Sequence, residues 1–165
     1  RPRLLPEVPV KFTHLDSAGQ ARMVDVTDKQ PTKRAATASA TVVCDPEILR
    51  RIASGEMPKG DVLAVARIAG IAAAKRTPEL LPLAHVIGVH GAAVDLTLGT
   101  ESIEVVATVR TADRTGVEME ALTAASVAAL ALIDMVKGLD RHAYIREVKL
   151  LAKEGGRSGR WRRDA

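Results

Sequence analysis

The sequence predicts an α+β fold in which an antiparallel four-stranded sheet is covered on one face by helices. Residues 36–44 alternate small apolar and hydroxyl side chains, the period of a half-buried strand. Residues 86–98 and 103–111 alternate β-branched side chains around a turn at residues 99–101, which predicts a hairpin. Residues 115–137 form one long apolar helix. The length of 165 residues suits a single domain with a sizeable core.

The remaining elements follow from caps and turn formers. Asp45-Pro46 is a cap followed by a proline at a first helical position, so a short helix is predicted to reach Ser54. A broader apolar helix opens near Asp61 and ends near Arg76, and Thr77-Pro78 begins about one further turn. Residues 144–151 alternate as a last strand.

The order of these elements is β-α-β-β-α-β, the ferredoxin-like split βαβ pattern. We therefore expect one ferredoxin-like domain over residues 34–153. Residues 1–33 are predicted to form an irregular arm, with one strand-like alternation at residues 23–26. Residues 154–165 form a basic, glycine-rich tail.

Composition and charge exclude several classes of function. Aromatic residues make up 2% of the chain (Phe12, Tyr144 and Trp161), so modules that stack rings on bases are disfavoured and no nucleic-acid partner is expected. Residues 149–165 carry six basic and two acidic side chains, which equals the whole net charge of +4. The rest of the chain is neutral. The basic segment is either a local contact for an anion or a solvated tail.

The number and spacing of the cysteine and histidine residues do not indicate a metal site. Cys44 is the single cysteine, which excludes an internal disulfide and a multi-cysteine site. His14, His90 and His142 show no ligand spacing with His85.

Hydropathy predicts a cytoplasmic protein without a membrane partner. The charge-free stretches at residues 80–94 and 121–133 are shorter than the roughly 18 residues of a spanning helix. Residues 1–12 lack the apolar run of a signal peptide.

The long helix indicates both an oligomer and a reactive pair. Residues 121–133 are apolar nearly all round, so a second subunit is expected to cover the side that the sheet leaves free. Asp134 and Lys137 follow at i,i+3 on one face. They are either a general acid/base couple tuned by burial and by each other, or a helix-end ion pair.

Two further side chains, Glu120 and His85, could touch a substrate. Thr115 and Glu118 fit a capping box, which leaves Glu120 as the freer carboxylate of the first turn. His85 lies in a charge-free connector, where it could exchange a proton near neutral pH or be a satisfied buried histidine.

Two segments could hold phosphate. Lys59 precedes a helix start, where amide donors favour anions, although an exposed lysine is equally compatible. Residues 153–159 combine glycines with Lys153 and Arg157, which suits either an anion site or a flexible tail. The segment lacks the pattern of a Walker loop.

Several of these segments together resemble the MoaC family of molybdenum cofactor biosynthesis, the cyclic pyranopterin monophosphate synthases. The similarity extends from about Thr13 to Trp161. It rests on Met23-Val24-Asp25-Val26, Lys59-Gly60-Asp61, Ala66-Arg67-Ile68-Ala69-Gly70-Ile71, Ala74-Lys75-Arg76-Thr77, Thr115-Gly116-Val117-Glu118-Met119-Glu120-Ala121-Leu122-Thr123-Ala124, Asp134-Met135-Val136-Lys137 and Gly155-Gly156-Arg157-Ser158-Gly159.

The resemblance implies a lyase that converts a cyclised dihydro-GTP triphosphate into cyclic pyranopterin monophosphate and releases diphosphate. It implies a trimer of dimers with active sites at subunit interfaces and no tightly bound cofactor, and leaves open whether Mg²⁺ accompanies the triphosphate. By motif, Asp134 and Lys137 are the expected catalytic pair. The residues expected at the substrate are Lys59, Leu83, Ala84, His85, Met119, Glu120 and Lys153.

One segment departs from the family pattern. Where the family commonly has Pro-Leu-Cys-His-Pro-Leu, this chain has Ala84 in place of the cysteine and Val86 in place of the second proline, which removes a fixed φ. The alternative function is therefore a catalytically weak, nucleotide-binding relative of the family.

Overall fold

The computed structural model describes residues 13–164. In chain order its elements are β1 (Thr32–Val43), α1 (Pro46–Ser54), α2 (Val62–Lys75), α3 (Thr77–Leu80), β2 (Gly91–Leu98), β3 (Ser102–Asp113), α4 (Glu118–Val136), β4 (Tyr144–Glu154) and β5 (Trp161–Arg162). The fold is α+β, as predicted. Residues 1–12 of the predicted arm lie outside the described residues. They include the segment that lacks the apolar run of a signal peptide.

The sheet has five strands in the order β2-β3-β1-β4-β5, and every neighbouring pair is antiparallel. The prediction of four strands is wrong because β5, within the predicted tail, pairs with the end of β4 through Ala152↔Arg162 and Lys153↔Trp161. A two-residue strand carries too little alternation to be recognised in a sequence.

β1 is the central strand, and its alternation divides the two faces of the sheet as predicted. Ala36, Ala38 and Ala40 are fully buried beneath the helices. On the other face, the Thr41 hydroxyl donates to Glu104 at 2.8 Å, and the Thr37 hydroxyl shares a hydrogen bond with the Thr108 hydroxyl of β3. The apolar half of the alternation therefore builds the core.

The helices cover one face of the sheet. α4 packs against β1, β3 and β4, while α2 lies beside α4 and over β2. Gly70 of α2 allows α2 and α4 to approach closely. A Cβ on Gly70 would lie 2.9 Å from the Ala124 carbonyl oxygen and 3.1 Å from the Ala128 Cβ. Alanine dominates the α4 side of this core: Ala121, Ala124, Ala125, Ala128 and Ala129 are fully buried.

α4 is the one helix of residues 13–164 that is long and apolar enough to cross a membrane, by length and composition only. Three strands and α2 pack against it, which is the position of a core helix in a folded domain. Its remaining face is exposed at Met119 and Leu130.

Two predicted strand segments differ from the structure. The first hairpin strand begins at Gly91 rather than at residue 86, because residues 86–90 are held in an irregular path by the Thr111 hydroxyl, which donates to the Gly88 carbonyl. Residues 23–26 form no strand, and the described part of the arm contains a single isolated bridge, Leu15↔Ala21.

Candidate active site

The arm, the connector between α3 and β2, and the first turn of α4 enclose a cavity of about 410 Å³. Five of the residues predicted to contact substrate line it: Leu83, Ala84, His85, Met119 and Glu120. Val86 does not line the cavity, and it is 89% exposed. The loss of the family's second proline therefore changes an exposed position beside the cavity, whereas Ala84 changes its wall.

Glu120 is the buried acid of this cavity. The residue is 3% exposed, and this burial raises the pKa of its carboxyl, with a smaller contribution from the charge of Glu118. His85 opposes the rise. A carboxyl with a raised pKa keeps its proton to a higher pH than a free one, which suits an acid/base group in a cavity.

His85 is held from the side of the arm. Its Nε2 lies 2.5 Å from the backbone carbonyl oxygen of Val24. His14 and Lys29 of the arm line the same cavity. Spacing indicated a role for neither, because the arm has no periodicity from which side-chain direction can be predicted. The only signal at this part of the arm was the Met23–Val26 motif itself.

Glu118 pairs with Lys153 instead of capping α4. Lys153 Nζ lies 3.1 Å from Glu118 Oε1, so the end of β4 is joined to the first turn of the helix. The predicted capping box is wrong, because no side chain caps α4, whose N-cap residue is Val117. The Glu118 carboxylate folds over Gly116, where a Cβ would overlap it. Lys153 does not itself line the cavity, but it is joined to the cavity through Glu118, which does.

The glycines that follow Lys153 pack against the chain's own Arg34. Gly155 and Gly156 have φ values of +92° and +75°, and a Cβ on Gly155 would overlap the Lys33 carbonyl. Arg34 in turn donates to the carbonyl oxygens of Asp113 and Arg114. The described part of the glycine segment thus closes a turn on β1 and β3.

Lys59, Asp134 and Lys137 form a second cluster at the C-terminal end of α4, here called the terminal cluster. Lys137 Nζ donates to Asp134 Oδ1 at 2.6 Å, and Lys59 Nζ donates to the Asp134 backbone carbonyl at 2.8 Å. The Asp134 and Lys137 side chains are 62% and 60% exposed. The hydrogen bond from Lys137 and the charges of Lys137 and Lys59 lower the pKa of the Asp134 carboxyl.

The terminal cluster differs in two respects from the sequence predictions. The Asp134–Lys137 pair is exposed, so burial contributes little to the pKa of the Asp134 carboxyl. The hydrogen bond from Lys137 and the neighbouring charges determine the direction of its shift. Lys59 does not cap the N-terminus of α2, which is capped by Asp61: the Asp61 carboxylate accepts a hydrogen bond from Ala64 N at 2.9 Å. Lys59 instead binds the C-terminal end of α4.

The cavity and the terminal cluster lie at opposite ends of α4. The helix spans Glu118–Val136, so at 1.5 Å per residue its ends are about 27 Å apart. A single chain therefore brings together Leu83, Ala84, His85, Met119, Glu120 and Lys153, and separately Lys59, Asp134 and Lys137. Within residues 13–164 no group of three His, Cys, Asp or Glu side chains is arranged to hold a metal ion.

The sequence is closely similar to the members of one protein family. The family model described as "MoaC family" matches residues 23–156. A relative from Geobacter metallireducens is 56% identical over 157 residues, which cover 94% of this chain and 98% of the relative. Relatives from Streptomyces avermitilis and Chloroflexus aurantiacus are 52% and 55% identical, covering 96% and 93% of this chain and 93% and 95% of their own lengths. All three are named cyclic pyranopterin monophosphate synthase.

Proposed function

The chain belongs to the MoaC family, and on that basis we propose that it is a lyase of molybdenum cofactor biosynthesis. Its substrate is (8S)-3′,8-cyclo-7,8-dihydroguanosine 5′-triphosphate, and its products are cyclic pyranopterin monophosphate and diphosphate. The observation that carries the proposal is the cavity at the start of α4, because the five residues expected at the substrate line it together around the buried acid Glu120.

We assign the proposed chemistry to the terminal cluster together with Lys153, while the residues of the cavity contact the substrate. Ring opening and closure of the pyranopterin need proton transfers, which we assign to Asp134 and Lys137. Attack of a ribose hydroxyl on the innermost phosphorus then expels diphosphate, and the ammonium groups of Lys59, Lys137 and Lys153 stabilise the charge that develops. The ion pair between Asp134 and Lys137 supports this assignment, since it keeps the carboxylate ionised and the ammonium beside it.

A complete site needs a second copy of the chain, because one copy holds its two clusters about 27 Å apart. Met119, Leu130 and Lys137 lie on one stripe of α4, since spacings of eleven and seven residues return to within roughly 20° of the same face. Leu130 is 56% exposed, and Ile68 of the neighbouring α2 is 67% exposed. We infer that this apolar face is covered by its counterpart in a two-fold dimer.

We propose that the two-fold axis is perpendicular to α4, so that the two α4 helices run antiparallel. Each helix start, with its cavity, then faces the terminal cluster of the partner. The proposed dimer therefore has two identical sites, each built from both chains. We further propose that three such dimers form the hexamer that the family resemblance implies.

We extend the proposal to the fold class, the cofactor and the localisation. The order β2-β3-β1-β4, with the main helices following β1 and β3, supports the ferredoxin-like class for residues 34–153. In this assignment the arm forms part of the cavity wall and β5 extends the sheet from the tail. We propose a cytoplasmic enzyme without a tightly bound cofactor, in which any Mg²⁺ accompanies the triphosphate.

Turnover with the labile substrate, generated in situ by the preceding radical enzyme, tests the function. We expect stoichiometric diphosphate and cyclic pyranopterin monophosphate from the wild-type chain. Asp134→Asn and Lys137→Ala should assemble normally and lose the reaction. Substrate binding without diphosphate release by the wild type would instead support the catalytically weak nucleotide-binding relative, for which Ala84 in the cavity wall is the specific reason.

A further inference from the structure

The arm makes a direct contact with His85, through a backbone group. The carbonyl oxygen of Val24 lies 2.5 Å from His85 Nε2. A carbonyl can only accept a hydrogen bond, so Nε2 must be the donor and must carry a proton. The arm thus determines which ring nitrogen is protonated in the neutral imidazole.

The arm is itself fixed at two points that follow this contact in the chain. Asp25 Oδ1 accepts from the Thr27 backbone N at 2.9 Å and from the Thr27 hydroxyl at 2.6 Å, which closes a tight turn directly after Val24. Farther along the arm, Arg114 Nε donates to the Lys29 carbonyl at 2.9 Å. The hydrogen bonds from Thr27 lower the pKa of the Asp25 carboxyl, so this turn persists at neutral pH.

The other ring nitrogen is available to the cavity. Among residues 13–164, His85 Nδ1 has no hydrogen-bond partner, while the His85 side chain lines the cavity wall. The charged and titratable groups around the same space are Glu118 and Glu120 from α4 and His14 and Lys29 from the arm.

We propose that the Val24 carbonyl is a positioning group that keeps a proton on His85 Nε2, which makes Nδ1 the nitrogen that accepts a hydrogen bond or a proton from the substrate. Protonation at Nδ1 gives an imidazolium that still donates from Nε2 to Val24. The contact therefore holds the ring in one orientation through both protonation states. This inference rests on the proposed function for the substrate, while the hydrogen bond can be measured without it.

Nuclear magnetic resonance of the full chain, labelled with ¹⁵N-histidine and free of substrate, tests the contact. We expect His85 with a protonated Nε2 whose hydrogen exchanges slowly with water, and an unprotonated Nδ1. Asp25→Ala should open the turn after Val24 and speed the exchange of the Nε2 hydrogen about tenfold or more. The matched control is Asp28→Ala, which removes the same charge from an exposed arm position and should leave the exchange unchanged.

Thr27→Val keeps the shape of the turn residue but removes its hydroxyl donor, so it should also speed the exchange of the Nε2 hydrogen. If Asp25→Ala folds poorly, Thr27→Val provides the test in its place. In turnover, Asp25→Ala should lower kcat/KM about fivefold, the effect of one hydrogen bond. A proton on Nδ1 of the wild type, or equal Nε2 exchange in all variants, would overturn the proposal. Correct tautomer and exchange without turnover would instead count against the proposed function alone.

Discussion

The ammonium of Lys59 donates a hydrogen bond to the backbone carbonyl of Asp134, 2.8 Å away. This bond joins the segment before α2 to the C-terminal end of α4, where the last carbonyl oxygens of a helix lack partners within the helix. It also places a second ammonium beside the Asp134–Lys137 pair. One lysine thus stabilises a helix end and contributes charge to the proposed phosphate site.

Lys59→Met should separate these two contributions. Removing the cation from the helix end should lower the free energy of unfolding by about 0.5–1 kcal/mol, whereas kcat/KM should fall by roughly a hundredfold or more, because transition-state charge loses a partner. Lys75→Met is the control, since Lys75 is an exposed lysine in the last turn of α2. Urea unfolding and diphosphate release measure the two effects. An equal loss of activity in both variants would contradict the assignment of Lys59.

Glu120→Gln should make the protein more stable at neutral pH. The pKa of Glu120 is raised in the folded chain, so its ionised form is disfavoured there and stability falls as the pH rises from the unfolded pKa through the folded one. Removing the charge should add about 1 kcal/mol at pH 7 and little at pH 4. Urea unfolding at both pH values measures the difference. Activity should fall sharply, and a variant that is less stable at pH 7 would refute this account of burial.

Gly70→Ala should force α2 away from α4. The added Cβ would lie 2.9 Å from the Ala124 carbonyl oxygen, which is too close for any packed side chain, and overpacking of this kind costs about 1–3 kcal/mol. Gly138→Ala is the matched control, because a Cβ there meets nothing within 4 Å. Thermal unfolding should show a lower Tm for the first variant and an unchanged or slightly higher Tm for the second. Equal Tm values would show that the two helices can separate freely.

Mixing two inactive variants should restore activity if each site draws on two chains. Glu120→Gln damages the cavity and Asp134→Asn damages the terminal cluster. After subunit exchange, half of the dimers are mixed and one of their two sites combines both intact halves, so about one quarter of wild-type activity is expected. Diphosphate release before and after exchange measures this.

No recovery in a mixture shown by mass spectrometry to contain mixed dimers would mean that one chain supplies the whole site. A second check is Leu130→Lys, which should weaken association and activity together, because it places a charge in the apolar stripe.

The sequence predicted most of the sheet because its strands alternate clearly. The buried Ala36, Ala38 and Ala40 are the residues that the period of two assigns to one face. Side-chain partners were harder to predict. Thr115 and Glu118 have the spacing of a capping box, but Lys153 is distant in sequence and close in space, so it competes successfully for the Glu118 carboxylate.

The sequence predicted the residues of the candidate site one by one, but it predicted only part of the geometry. Motifs named His85 and Glu120 on one side and Asp134 and Lys137 on the other. The helix predicted over residues 115–137 already places Glu120 in its first turn and Asp134 and Lys137 at its far end, and the structure confirms that separation. The contribution of Val24 could not be predicted from residue type, because it is made by a backbone carbonyl.

The alanines that face one another across β1 and α4 also explain why rings are so scarce in this chain. A gap between sheet and helix that is filled by methyl groups leaves no room for a phenyl or indole side chain, so aromatic residues cannot enter the interior without separating the layers. Both aromatic residues that the structure describes, Tyr144 and Trp161, are accordingly exposed. Ultraviolet absorbance and fluorescence of the folded protein therefore come chiefly from Trp161 and Tyr144 near β4 and β5, which makes them reporters of the sheet edge and leaves the interior optically silent.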